Sequence, residues 1–200
     1  MMIRLLKRLV ILVSISLMAM NAEAQFRYGF RLGGCFTNAS LENADNYSIS
    51  NGSGFSGGIM FEYQSPKSGM AADIAVLYTR YNAMLLTPIG AKESVGKDFI
   101  EIPLHAKYKF WLSKFGNIFG PLVYTGPSIM VRTDSGKSEA LAIQRIQPGW
   151  DAGIGIDIAN FIQITGGYRF GIGNGAKQAP NDAKYHTNGW NVSVNMIFDF

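Results

Sequence analysis

A single cysteine, Cys35, stands in 200 residues, so no internal disulfide can form and this chain must draw its stability from elsewhere. Charge is also scarce. Only 16% of residues are Asp, Glu, Lys or Arg, while 48% are apolar, a balance that excludes a disordered or polyelectrolyte chain. The formal charge of +4 leans basic, but Arg4, Lys7, Arg8 and Glu23 lie in the first 24 residues, leaving 15 basic against 13 acidic residues beyond them. That near balance carries no nucleic-acid footprint. Only two histidines are present, His105 and His186, and they are far from each other and from Cys35, so no zinc-ligand spacing exists. No cofactor motif appears: Gly171-Ile172-Gly173-Asn174-Gly175 follows a strand but opens no helix, as a nucleotide loop would require.

Long hydrophobic runs are missing as well. The only one runs from Leu9 to Met20, too short for the roughly 20 residues that a spanning helix needs. Preceded by Arg4, Lys7 and Arg8 and followed by Ala22-Glu23-Ala24, it has the layout of a signal peptide, with cleavage expected after Ala24. The expected organisation is therefore a signal peptide at 1–24 and one exported domain at 25–200. If that domain spans a membrane, it must do so as a closed β-barrel.

What the chain does have is period-two alternation. Phe26, Tyr28, Phe30 and Leu32 share one face, with Arg27, Gly29, Arg31 and Gly33 on the other. The same rhythm predicts strands at about 54–64, 70–81, 98–110, 119–132, 149–158, 161–173 and 188–200, which makes eight. The clearest sets Ile100, Ile102, Leu104, Ala106, Tyr108 and Phe110 against Glu101, Pro103, His105, Lys107 and Lys109. The least clear is 119–132, apolar on both faces and interrupted by Pro121 and Pro127. Long polar connections, at about 38–53, 82–97, 133–148 and 174–187, alternate with shorter ones. This asymmetry fits a membrane barrel with short periplasmic turns and long outer loops.

Alternation alone does not say which face is wet. The apolar faces carry aromatics toward the strand ends (Phe26, Tyr63, Tyr108, Trp150, Trp190, Phe198), as interfacial girdles do, and favour an outward apolar face. The lumen would then hold Arg27, Arg31, Glu62, Asp73, Glu101, His105, Lys107, Lys109, Asp151, Asp157, Arg169 and Asp199, whose signs nearly cancel and can pair. These residues are candidates for a polar network. Eight strands enclose only enough space for side chains, which argues against a wide channel. His105 near Glu101, or His186 in the last loop, would be the candidates for a catalytic base, but no nucleophile motif accompanies either.

Four segments, in order, carry a family resemblance: Phe99-Ile100-Glu101-Ile102-Pro103-Leu104, Tyr124-Thr125-Gly126-Pro127, Ala152-Gly153-Ile154-Gly155-Ile156 and Gly167-Tyr168-Arg169-Phe170-Gly171-Ile172. Together they resemble the PorT-like small outer-membrane β-barrels of Gram-negative bacteria, over Gln25 to Phe200. The resemblance implies an all-β, eight-stranded, up-and-down antiparallel barrel in the outer membrane, and no agreed activity. The expectation is a monomeric, non-enzymatic protein with a structural or binding role in the envelope, without cofactor or metal. Its expected partners are outer-membrane lipid and the barrel assembly machinery, met through the final strand ending at Phe200. A loop ligand or a secretion-complex partner stays open. The alternatives are a lipid-modifying barrel enzyme and a soluble, lipocalin-like periplasmic carrier, which would invert the two faces.

Overall fold

The structure is a computed structural model that describes residues 25–42, 48–65, 68–86, 92–110, 118–133, 142–143, 145–172, 176–178 and 184–199. The proposed signal peptide at 1–24 and the terminal Phe200 lie outside the described residues, as do the side chains of the outermost strand ends, His186 among them.

Ten strands follow one another: β1 (Gln25–Glu42), β2 (Ser48–Gln64), β3 (Met70–Leu86), β4 (Lys92–Lys109), β5 (Phe119–Arg132), β6 (Ala142–Ile143), β7 (Ile146–Ile158), β8 (Ile162–Gly171), β9 (Ala176–Gln178) and β10 (Lys184–Asp199). Eight of them close an antiparallel barrel in the order β1-β10-β8-β7-β5-β4-β3-β2, and β6 and β9 form a separate two-stranded sheet. The first and last barrel strands complete the ring, in register from Arg27↔Asp199 to Glu42↔Lys184. Closure leaves no strand edge within the apolar zone, the condition for a β-structure to exist in lipid.

Strands β1 to β4 are longer than the alternation predicted. Much of the expected loops 38–53 and 82–97 is strand, with β1 extending to Glu42 and β3 to Leu86. Above the apolar zone both faces of a strand can meet water, so the backbone ladder continues without alternating side chains to reveal it. At the opposite end the connection between β7 and β8 is tight. Ala159 and Asn160, with φ of 52° and 58°, are the central residues of the turn between β7 and β8, closed by the Phe161 N–H donating to the Ile158 carbonyl at 3.0 Å, and their conformation matches the twist of a hairpin.

The outer face is apolar through its middle apart from Thr125, whose hydroxyl accepts from the Trp150 indole N–H at 2.8 Å. On β1 every outward residue from Phe26 to Phe36 is Phe, Tyr, Leu or Gly, a stretch of the length a tilted strand needs to cross a bilayer. Ile154 on β7 is 68% exposed and Leu32 on β1 58%, whereas Arg27, Lys109 and Asp157 are sealed inside. A soluble carrier requires the reverse arrangement. The unclear strand β5 now has its explanation: Leu122, Tyr124 and Met130 face inward and Val123 and Ile129 outward, because a narrow barrel packs its interior with side chains whether they are apolar or polar. Met60, Ala75, Leu77 and Ile197 form a second apolar patch inside.

Two prolines interrupt the β4 ladders without shifting them. Beside Pro103, pairing with β3 resumes at Leu77↔Glu101, and beside Pro127, pairing with β5 resumes at Ala106↔Thr125, each in unchanged register. Cys35 lies in the middle of β1, facing inward and buried.

Candidate functional site

The period of two sends alternate residues of every strand into the lumen, and in this chain those residues carry the buried charge of the barrel wall. Five cations, Arg27, Arg31, Lys107, Lys109 and Arg169, are buried with five carboxylates, Glu62, Asp73, Glu101, Asp151 and Asp157. His105 is buried among them. Asp199 is the exception in the expected set: its side chain is 69% exposed at the rim, because it ends β10 where the barrel opens to solvent. It lies 2.9 Å from Arg27 Nε at an angle too poor for a hydrogen bond, so that contact is electrostatic.

The lower cluster is built on two lysines, each with three polar side chains within 3 Å of its ammonium group. Lys109 Nζ lies 2.7 Å from Glu62 Oε1, 2.9 Å from Asp157 Oδ2 and 2.6 Å from Gln64 Oε1. Lys107 Nζ lies 2.8 Å from Glu62 Oε2, 2.6 Å from Asp73 Oδ2 and 2.8 Å from Gln163 Oε1. Arg27 donates to Gln64 at 2.7 Å, and Arg31 to Asp73 at 3.0 Å and Asn195 at 2.8 Å. Gln163 donates to Glu62 and Asp157, at 3.0 and 2.9 Å. Such pairing is what makes buried charge tolerable, since an ion removed from water must regain its interactions from the protein.

The upper cluster centres on Arg169, which holds Asp151 through Nε at 2.9 Å and through Nη2 at 3.2 Å, and also binds Glu101. Thr79 donates to Glu101 at 2.9 Å and Ser128 to Asp151 at 3.1 Å. His105 joins the two clusters. Its Nδ1 lies 3.4 Å from Asp73 and its Nε2 3.2 Å from Asp151. With each ring nitrogen facing a carboxylate and no hydroxyl nucleophile bonded to it, the imidazole serves as a connector. Among the described residues no group of three or more His, Cys, Asp or Glu side chains gathers to hold a metal ion.

Tyr124 crosses above His105, ring centroids 4.8 Å apart, and its hydroxyl donates to Asn191 across the lumen at 3.1 Å. Glycine makes room for it. A Cβ on Gly153 would come within 2.5 Å of the Tyr124 ring, and one on Gly167 within 2.1 Å of its hydroxyl oxygen. The glycines of two of the four sequence segments thus form a seat on β7 and β8 for the tyrosine of a third.

The uncharged members of the network, Gln64, Gln163, Asn195, Thr79, Ser128 and Asn191, were absent from the candidates drawn from sequence. Their inward phase was readable, but formal charge was the signal used to select residues. Above His105 a cavity of about 50 Å³ remains, lined among others by Arg31, Cys35, Tyr81, Arg169, Asn188 and Asn191. These residues lie toward the strand ends that lead into the long connections.

No curated protein matches the chain in sequence. Among solved structures it is similar to Neisserial surface protein A (NspA), with 18% identity and a TM-score of 0.52, over 86% of this chain and 97% of that one. It is also similar to the outer membrane protein OprG from Pseudomonas aeruginosa, with 12% identity and a TM-score of 0.53, over 88% of this chain and 95% of that one. At these identities the likeness is one of fold. A family model described as outer membrane protein beta-barrel domain matches residues 9–198, and with its apolar outer belt and charge-filled lumen the chain belongs to that family, an integral β-barrel protein of the outer membrane.

Proposed function

We propose that this protein acts as a monomeric structural or binding component of the cell envelope, closed to bulk solute flow and without a catalytic cycle. The observation that carries this reading is the ion-paired plug of the lower lumen: Lys107 and Lys109 each have three polar partners within 3 Å, and the side chains that hold them come from strands around the barrel. An aqueous path through that layer would have to break buried ion pairs. The engagement of both His105 ring nitrogens by carboxylates argues against its use as a general base.

We further infer that the chain falls in the PorT-like branch of the family. The Ile-Glu-Ile-Pro strand supplies Glu101, the Tyr-Arg-Phe-Gly strand supplies its partner Arg169, and Gly153 and Gly167 seat Tyr124. Export would follow cleavage after Ala24, and assembly would proceed through the C-terminal strand ending at Phe200. The long outer connections are the natural place for a loop ligand.

Envelope fractionation and planar-bilayer recording test the reading together. Extraction from the outer membrane only by detergent, a gel mobility that changes on boiling, and no stable conductance from the reconstituted protein are expected. A steady open conductance overturns the closed barrel. Altered lipid A or phospholipid species in a deletion strain, restored by the wild type and not by His105→Ala, would overturn the non-enzymatic assignment.

A further inference from the structure

We propose that the cavity above His105 is a binding site for a small oxyanion, a carboxylate or phosphate group, reached from the outer end of the barrel. The argument is an imbalance between donors and acceptors. The acidic oxygens that line the cavity are already occupied: Glu101 accepts from Arg169 and Thr79, and Asp151 accepts from Arg169, Ser128 and His105. The donors are not. Arg169 uses Nε and Nη2 in the network, and Arg31 likewise uses Nε and Nη2, on Asn195 and Asp73. Nη1 of each guanidinium has no partner among the described residues, although both side chains are more than nine-tenths buried and both line the cavity.

Two asparagines on β10 add to the excess. Asn188 spends its carbonyl oxygen accepting the Gly171 backbone N–H at 3.0 Å, and Asn191 its own accepting the Tyr124 hydroxyl at 3.1 Å. A backbone N–H can only donate, which fixes the Asn188 amide with its oxygen toward Gly171 and its nitrogen without a partner among the described residues. Four nitrogen donors are thereby left around a space of about 50 Å³, small enough that a group of a few atoms entering it is brought within reach of several at once. Guanidinium donors are suited to carboxylate and phosphate oxygens, which they meet with charge-assisted hydrogen bonds. Lys107, though it also lines the cavity, is held below by Glu62, Gln163 and Asp73 and contributes charge to the site.

This site deepens the binding role proposed above and rests on that reading only in treating the cavity as blind at its lower end. The two are separable, since conductance in the wild type would overturn the closed barrel and leave the titration below standing on its own. The ¹⁵N-labelled protein, folded in detergent micelles, is titrated with sodium acetate, inorganic phosphate and glycerol 3-phosphate against sodium chloride at constant ionic strength, following the arginine Nε–H and asparagine amide signals. The variants are Asn188→Asp and Asn191→Asp, each of which keeps the acceptor used in the fold and replaces the free donor by a carboxylate; heat-modifiable mobility verifies their folding. The expected result is a saturable shift in the wild type, absent with chloride, and affinity at least about ten-fold weaker in either variant. Tighter binding of glycerol 3-phosphate than of inorganic phosphate assigns the group to a larger carrier, and equal or weaker binding assigns it to a free anion. No saturable shift with any of the three anions, or wild-type affinity in both folded variants, overturns the site.

Discussion

Replacing Lys109 by Met tests the lumen network at its most enclosed point. The lysine ammonium lies 2.7 Å from Glu62, 2.6 Å from Gln64 and 2.9 Å from Asp157, and none of the three charged side chains has measurable exposure. At an effective dielectric constant near 20, a pair at this distance attracts by about 6 kcal/mol before desolvation is counted. Methionine fills a similar volume but leaves Asp157 holding a single bond from Gln163 on Oδ2 and none on Oδ1. Breaking one side of a buried pair costs about 3–5 kcal/mol, so Lys109→Met should lower the unfolding free energy by that amount. The assay is reversible urea unfolding of the protein in lipid vesicles, read by tryptophan fluorescence and by gel mobility without boiling. Because the cost arises from the orphaned carboxylate, adding Asp157→Asn should recover most of it. A loss below about 1 kcal/mol in the single variant, or an additive loss in the double, would refute the claim that the pair is dry and coupled.

Other outcomes follow from the same geometry. Asp199→Asn, at an exposed rim position, should change stability by less than about 1 kcal/mol in the same assay despite its closeness to Arg27. Gly167→Ala drives a methyl group into the Tyr124 hydroxyl and the Ala152 carbonyl and should cost about 1–3 kcal/mol; a neutral result would mean that Tyr124 is not seated there. Ile154→Arg, on the lipid face near the middle of β7, should cost about 2–4 kcal/mol in vesicles, and tolerance of the arginine there would place the apolar belt elsewhere.

The barrel was legible in sequence because lipid imposes one rule on every strand. Strict alternation such as Ile100 to Phe110 reports a wall with different media on its two sides, and that signal names both the strand and the face. Where the medium is the same on both sides the signal vanishes, which is why the outer ends of β1 and β3 read as loops. Charge identified most of the lumen, yet Asp199 shows that phase alone does not measure depth: its alternation is correct, but it stands at the mouth. The pairing itself was not legible. Nothing local in the sequence says that Glu62 meets Lys107 and Lys109, or that Tyr124 rests on glycines of two other strands, because those contacts depend on the register around the whole ring.

Glu62 and Gln163 stand 101 residues apart in the chain yet share a hydrogen bond at the centre of the lumen, and Arg31 reaches from β1 to Asp73 on β3 and to Asn195 on β10. A partly formed sheet would therefore hold charges whose partners had not yet arrived, next to hydrocarbon that offers them nothing. Half a barrel is in this sense worse than none. Insertion is pushed toward a single concerted event, in which the neutralising of the interior and the joining of β1 to β10 are completed together.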